Sequence, residues 1–347
     1  MKIAIIGAGA IGGFVGARLA LAGEDVTFVA RGANLTALRN RGIRLVSPEG
    51  EERVVPRVRA IDRCQDARAQ DLVIVAVKAH QLGSIAPSVP LLFGEHTTLV
   101  TMQNGIPYWY FHRHGGDLAG TVLRSVDPQG NLATWLPPER VLGCVVYPAC
   151  ELVSPGIVRH VEGERFPLGE LDGSTSERAG RIAETFVRAG LKAPVLDDIR
   201  CEIWLKLWGN LTFNPLSALT RSTLADICRD PLTRELARAM MTEAQAVAHE
   251  LGVTFRVTID KRIAGAERVG AHKTSMLQDI EAGRQPEIEA LLGSVRELAS
   301  LTRTHTPTLD AVYALVCRLW AAIRDGKEAD VPPLPAGELA ATGAAAA

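Results

Sequence analysis

The order of apolar and polar positions divides the chain into two unlike halves. Residues 2–6 are almost wholly apolar and largely β-branched, and the run stops at Gly7. Such a short run reads as a strand buried on both faces, as in a parallel sheet. Small and apolar residues then recur at helical spacing over 13–22, with Gly23 as the cap. A second strand is predicted at 25–30 and a short helix at 34–40, closed by Gly42. Strands follow at 43–46 and 53–58 around a Pro-Glu-Gly turn. Further buried strands are predicted at 71–77 and 98–101, with a helix from Gln81 between them.

Runs at 141–148, 156–160 and 166–169 have no long helix between them, which predicts an antiparallel extension of the sheet. An amphipathic helix at 175–189 and a strand at 193–196 complete this half. From Asp198 to about Ala322 every periodic segment is helical. The expected fold is therefore α/β, an N-terminal parallel sheet with an antiparallel extension followed by an all-α part. The expected domains are 1–197 and 198–327, and the Pro-, Gly- and Ala-rich segment 328–347 has too little to bury and is expected to be disordered.

Composition narrows the class. A chain of 347 residues is long enough for two domains, and its net charge of −1 offers no general surface for nucleic acid or anionic lipid. No apolar run reaches bilayer length. The chain starts on its first strand, so no leader is expected ahead of it. Six scattered cysteines form no C-x-x-C pair, consistent with free thiols in a reducing compartment. The expectation is a cytoplasmic enzyme without a metal, since no His/Cys/Asp cluster has ligand spacing.

The chemistry starts at Gly7-Ala8-Gly9-Ala10-Ile11-Gly12, a G-x-G-x-x-G between a strand and a helix. The first glycine permits the tight turn. The second lets a pyrophosphate approach the backbone, and the third lets the helix pack closely. The helix N-terminus offers unpaired N–H groups to the phosphates. This marks a Rossmann-type dinucleotide site. At the end of the second strand stands Arg31 where a carboxylate would select NAD, so NADP(H) is the expected cofactor, unless Arg31 is an ordinary surface charge. Lys78 and Asn104 fall at the carboxyl ends of two later strands, the edge where ligands bind in such sheets. The plainer alternative makes them a surface charge and a turn former.

The first helix of the second half is apolar on most of its circumference and so is expected to be buried. Lys206, Asn210 and Asn214 nevertheless recur at i, i+4 and i+8 on one face. A polar stripe on a buried helix reads as a cleft wall, the alternative being a solvent-facing stripe. Pro215 is expected to end or kink the helix just beyond it. Further on, Ser275 precedes a break at Gly283 and Pro286, and Glu287 opens the next helix.

These stretches together resemble the ketopantoate reductase family. They are residues 2–13 with the glycine motif, Val77-Lys78-Ala79, Gln103-Asn104-Gly105, Pro155-Gly156-Ile157-Val158, Lys206-Leu207-Trp208-Gly209-Asn210-Leu211 with Asn214-Pro215-Leu216, and the segment from Ser275 through Glu287. The resemblance implies NADPH-dependent reduction of 2-dehydropantoate to pantoate. It implies Lys206 as the general acid, Asn210, Asn214 and Ser275 as substrate ligands, and Asn104 near both substrate and nicotinamide. Glu287 and Lys78 would lie at the cofactor, with the loop Gly7 to Gly12 at the pyrophosphate and Arg31 favouring NADPH. The partner implied is a small 2-keto acid, and the family includes monomers and homodimers. Two substrate-side positions depart from the family pattern, which has asparagine where this chain has Leu224 and His272. The stretch Arg124-Ser125-Val126-Asp127-Pro128 also departs, on the cofactor side. These departures leave open a relative acting on another branched 2-keto acid. A protein that binds NADP without turnover is a third reading, against which the intact Lys206 speaks.

Overall fold

The computed structural model describes residues 1–326, and the whole tail expected to be disordered, 328–347, lies with residue 327 outside the described residues. The first half builds a seven-stranded sheet and a smaller four-stranded one. Strands β1 (Lys2–Ile6) and β2 (Asp25–Val29) flank α1 (Ala10–Leu21), and α2 (Gly32–Arg41) follows. Then come β3 (Ile43–Val46), β4 (Glu52–Val55), β5 (Arg59–Ile61), β6 (Gln70–Val75), the single-turn α3 (Leu82–Ile85) and β7 (Phe93–Thr101). A single-turn α4 (Leu132–Trp135) leads to β8 (Val141–Cys144), β9 (Ala149–Ser154), β10 (Ile157–Glu162), β11 (Leu168–Gly169) and α5 (Glu177–Arg188).

The large sheet has the order β11-β8-β7-β6-β1-β2-β5, parallel from β8 through β5. Its central strands carry Ile3, Ile5, Leu72, Val73 and Val100 with no exposed surface, as the continuous apolar runs require. Connections leave β1 toward β2 on one side, while β6 lies on the other. That reversal opens a crevice at the carboxyl ends of β1 and β6.

Four details differ from the pattern reading. The antiparallel extension is β11 alone, paired to β8. The β9–β10 hairpin instead joins β3 and β4 in the separate sheet, ordered β4-β3-β10-β9. This sheet covers α1, where Gly13 leaves room for Val158 and Ile43. The segment expected as a strand at 193–196 makes only isolated bridges to β11 and its approach, because Pro194 has no N–H to extend a ladder. The helix expected from Gln81 is broken into short turns, with Pro87 and Pro90 interrupting it.

The second half is helical throughout: α6 (Ile199–Thr220), α7 (Leu224–Arg229), α8 (Pro231–Glu250), α9 (Ile259–Val269), α10 (Ser275–Glu281), α11 (Ser294–Thr302) and α12 (Pro307–Arg324). A π-helical turn, Glu289–Gly293, runs directly into α11. Asp198 caps α6 by accepting from the Cys201 N–H. Pro215 does not stop α6, which continues to Thr220 and ends on left-handed Arg221. Trp208, Leu211 and Leu216 bury that stretch, so packing holds the helix across the missing N–H. No helix of the described residues is long and apolar enough to cross a membrane.

Candidate active site

The glycine motif folds as a cradle. Gly7 has φ +92°, and a Cβ on it would stand 2.8 Å from a methyl of Val77. A Cβ on Gly12 would stand 2.0 Å from the Gly7 carbonyl oxygen, so α1 approaches the loop as only glycine allows. Gly9 faces open space, with nothing within 4 Å of where its Cβ would be. The N-terminus of α1 has neither a side-chain cap nor an acid in its first turn. Its first N–H groups thus remain free for an anion. These features fit a dinucleotide pyrophosphate. Asn34 holds the loop from behind, donating to the Ala8 carbonyl and accepting the Gly156 N–H at 2.8 Å. The spacing arguments missed Asn34, because its partner in the hairpin is distant in sequence. Arg31 is exposed at the carboxyl end of β2 and caps the start of α2 with its backbone.

The polar residues converge across the cleft between the sheet edge and α6. Lys206 Nζ donates to Asn104 Oδ1 at 2.6 Å and to the Val146 carbonyl. Asn104 Nδ2 donates to Glu287 Oε2 at 3.1 Å, and Glu287 Oε1 accepts the Ala79 N–H at 3.0 Å. Five segments, at Ala79, Asn104, Val146, Lys206 and Glu287, therefore meet in one chain of hydrogen bonds. Gln103 fixes the loop that carries Asn104 by donating to the Val75 and Val77 carbonyls at 2.9 and 3.0 Å. Asn104, Cys144, Val146, Ile203, Lys206 and Asn210 line the cleft itself. The stripe on α6 continues to Asn214, which is buried and reaches Ser275 Oγ at 3.5 Å.

Burial governs the electrostatics. It pulls the Lys206 ammonium down to about 8, with the Glu287 carboxylate opposing the shift. It pushes the neighbouring Cys144 thiol up to about 12, so this group stays neutral beside the lysine. A cation near neutrality, already aimed by two acceptors, can hold charge and release a proton without large rearrangement.

Lys78 stands apart from this chain. It pairs with Asp279 of α10, which also binds Arg284 at 3.1 Å. Its ammonium so ties the end of β6 to the helical half. The departing stretch at Arg124 and Ser125 is likewise anchored, both backbone N–H groups donating to Glu297 of α11 at 2.7 and 2.8 Å. The substrate-side departures touch each other, the Leu224 N–H donating to the His272 carbonyl at 3.1 Å. Among the described residues, no group of three or more His, Cys, Asp or Glu converges as for a metal ion.

Family models match both halves: "Ketopantoate reductase PanE/ApbA" over residues 3–173 and its C-terminal counterpart over 198–319. The chain belongs to the ketopantoate reductase family. It is similar to a 2-dehydropantoate 2-reductase of Mesorhizobium japonicum, 57% identical over 320 residues that cover 92% of this chain and 98% of that one. Among solved structures, it is similar to a ketopantoate reductase candidate from Ralstonia solanacearum MolK2, with a TM-score of 0.88, 45% identity, and 93% and 98% of the two chains covered. It is also similar to the 2-dehydropantoate 2-reductase of Geobacter metallireducens GS-15, with a TM-score of 0.80, 28% identity, and 92% and 99% covered. The ketopantoate reductases are NADPH-dependent oxidoreductases, and the Rossmann-like sheet followed by helices is their architecture.

Proposed function

We propose that this chain reduces 2-dehydropantoate to pantoate with NADPH, and that Lys206 is its general acid. The observation that carries the reading is the half-buried Lys206 ammonium, held between Asn104 Oδ1 and the Val146 carbonyl at the carboxyl edge of the sheet. Bound NADPH supplies the hydride. As negative charge grows on the substrate's carbonyl oxygen, Lys206 stabilises it and transfers its proton there. Asn104 aims Lys206 and lies where the nicotinamide side of the cleft meets the substrate side. Asn210, Asn214 and Ser275 offer donors along the substrate's polar end.

The loop Gly7, Ala8, Gly9, Ala10, Ile11 and Gly12 would hold the pyrophosphate, and exposed Arg31 would meet a 2′-phosphate. Glu287 and Lys78 border the same crevice as cofactor-side residues, each already tied to a partner across the two halves. We further assign 1–197 to cofactor binding and the helices from 198 to the substrate. The working form is taken to be a cytoplasmic monomer or homodimer.

Leucine and histidine at 224 and 272 support a second reading, in which the substrate is another branched 2-keto acid. Neither residue supplies the amide the family commonly has there. Steady-state assays with 2-dehydropantoate and a panel of branched 2-keto acids separate the two. A higher kcat/KM on 2-dehydropantoate supports the first reading, and a higher value on another acid supports the second.

A further inference from the structure

Lys206 is aimed in part by a main-chain carbonyl, and such a group holds its place only if its segment is held. The Val146 carbonyl belongs to the connection between β8 and β9. On either side of it, the Val145 N–H donates to the Pro167 carbonyl at 3.0 Å, and the Tyr147 N–H to the Arg165 carbonyl at 3.1 Å. In extended pairing of this kind successive carbonyls point to opposite sides, so Val146 turns its own away from 165–167 and toward α6. A side chain then ties the same segment to the same helix. The Tyr147 hydroxyl donates to Glu202 Oε1 at 2.8 Å. Glu202 stands one helical turn before Lys206, on the same face of α6. The connection therefore meets α6 twice, Val146 at Lys206 and Tyr147 at Glu202.

An acid in a first helical turn is favoured by the helix dipole wherever it points. Glu202 is nevertheless only 5% exposed, and its Oε1 accepts from both Tyr147 and Arg165. The Arg165 guanidinium also lies over the Tyr147 ring, 5.1 Å from its centre. Burial pushes the Tyr147 phenol up, so the hydroxyl keeps its proton and stays a donor. Arg165 balances the Glu202 charge, and the titratable groups that act on Lys206 are Glu287 and Cys144. Glu202 thus reaches Lys206 through geometry and not through its field. We propose that Tyr147 and Glu202 are positioning residues for the proton transfer: their hydrogen bond fixes the Val146 carbonyl against α6 and so keeps the Lys206 ammonium directed at the substrate's carbonyl oxygen. The inference rests on the reductase reading with Lys206 as the acid.

The test uses the full chain and its Tyr147→Phe, Glu202→Ala and Glu202→Gln variants. Tyr147→Phe keeps the ring and removes only the hydroxyl. It should lower kcat on 2-dehydropantoate by about 10- to 100-fold, the scale on which a small misplacement of a catalytic group acts, and leave KM for NADPH unchanged. Glu202→Ala should match it, and the double variant should be no slower than either single one, because both break the same contact. Glu202→Gln keeps an acceptor for the phenol and should recover most of the loss seen in Glu202→Ala. A carbonyl acceptor favours the charged ammonium, so displacing Val146 should also move the Lys206 titration to lower pH in Tyr147→Phe. NMR of protein containing isotope-labelled lysine, with the signal assigned through Lys206→Arg, reads that titration without turnover. If the wild type reduces no 2-keto acid yet Tyr147→Phe shifts the Lys206 titration, the reductase reading fails and the strut stands. An unchanged kcat and an unchanged Lys206 titration in Tyr147→Phe and Glu202→Ala would overturn the inference, as would a loss confined to Tm.

Discussion

Lys206 was legible in the sequence as a lysine on a mostly apolar helix, and its i+4 and i+8 asparagines pointed at a cleft. What the spacing did not disclose is what aims it. The Val146 carbonyl carries no side-chain signal, and Glu287 read equally well as an ordinary acid in a first helical turn. With the Lys206 ammonium drawn down to about 8, the proposed proton transfer uses the protonated form, so the reduction rate should fall as pH rises through that region. Glu287 opposes the burial shift, so Glu287→Gln should lower the lysine further and move the alkaline limb to lower pH. The pH profile of kcat/KM at saturating NADPH checks this, and a limb that stays put or moves upward would contradict it. Lys206→Ala should cut kcat by roughly 10²- to 10⁴-fold, the usual contribution of a general acid, without weakening NADPH binding measured by fluorescence.

At the scale of elements, the π turn before α11 explains how the loop that carries Asn104 meets the helices. The widened turn lets the Ala290 carbonyl accept the Ile106 N–H at 3.1 Å as well as the Ser294 hydroxyl at 2.7 Å. Gly105 sits against that carbonyl with φ +87°, and a Cβ there would be 2.0 Å from its oxygen. Gly105→Ala should therefore destabilise the protein by more than about 1 kcal/mol, since both backbone strain and a clash oppose it. Thermal melts should show a lower Tm, and a wild-type value would refute the close docking. This contact joins residues nearly two hundred positions apart, and no local pattern signals it. The strands at β1, β2, β6 and β7 were readable because burial on both faces leaves continuous apolar runs. No strand was expected at β9, and the destination of β10 was not readable, because period-2 patterning says which face is apolar and not which sheet receives it.

For the whole molecule, the change from strands to helices at residue 198 is plain in the sequence, but the packing across it is not. One apolar core runs from Val73 and Leu99 of the sheet through Trp109 to Trp204, Trp208 and Met241 of the helices. Arg200, at the start of α6, donates to the Tyr110, His112 and Leu171 carbonyls and pins the junction. A shared core couples the stability of its parts. Calorimetry should then record one unfolding transition with matching van't Hoff and calorimetric enthalpies, and two separated transitions would show that the halves melt independently.

The central claim is reduction of 2-dehydropantoate through Lys206. Its most direct test follows NADPH oxidation by absorbance with that substrate, comparing the wild type with Lys206→Ala under identical conditions. Efficient turnover by the wild type, lost in a variant that still binds NADPH, is the predicted result. A wild type inactive on 2-dehydropantoate, or a variant as fast as the wild type, would contradict it.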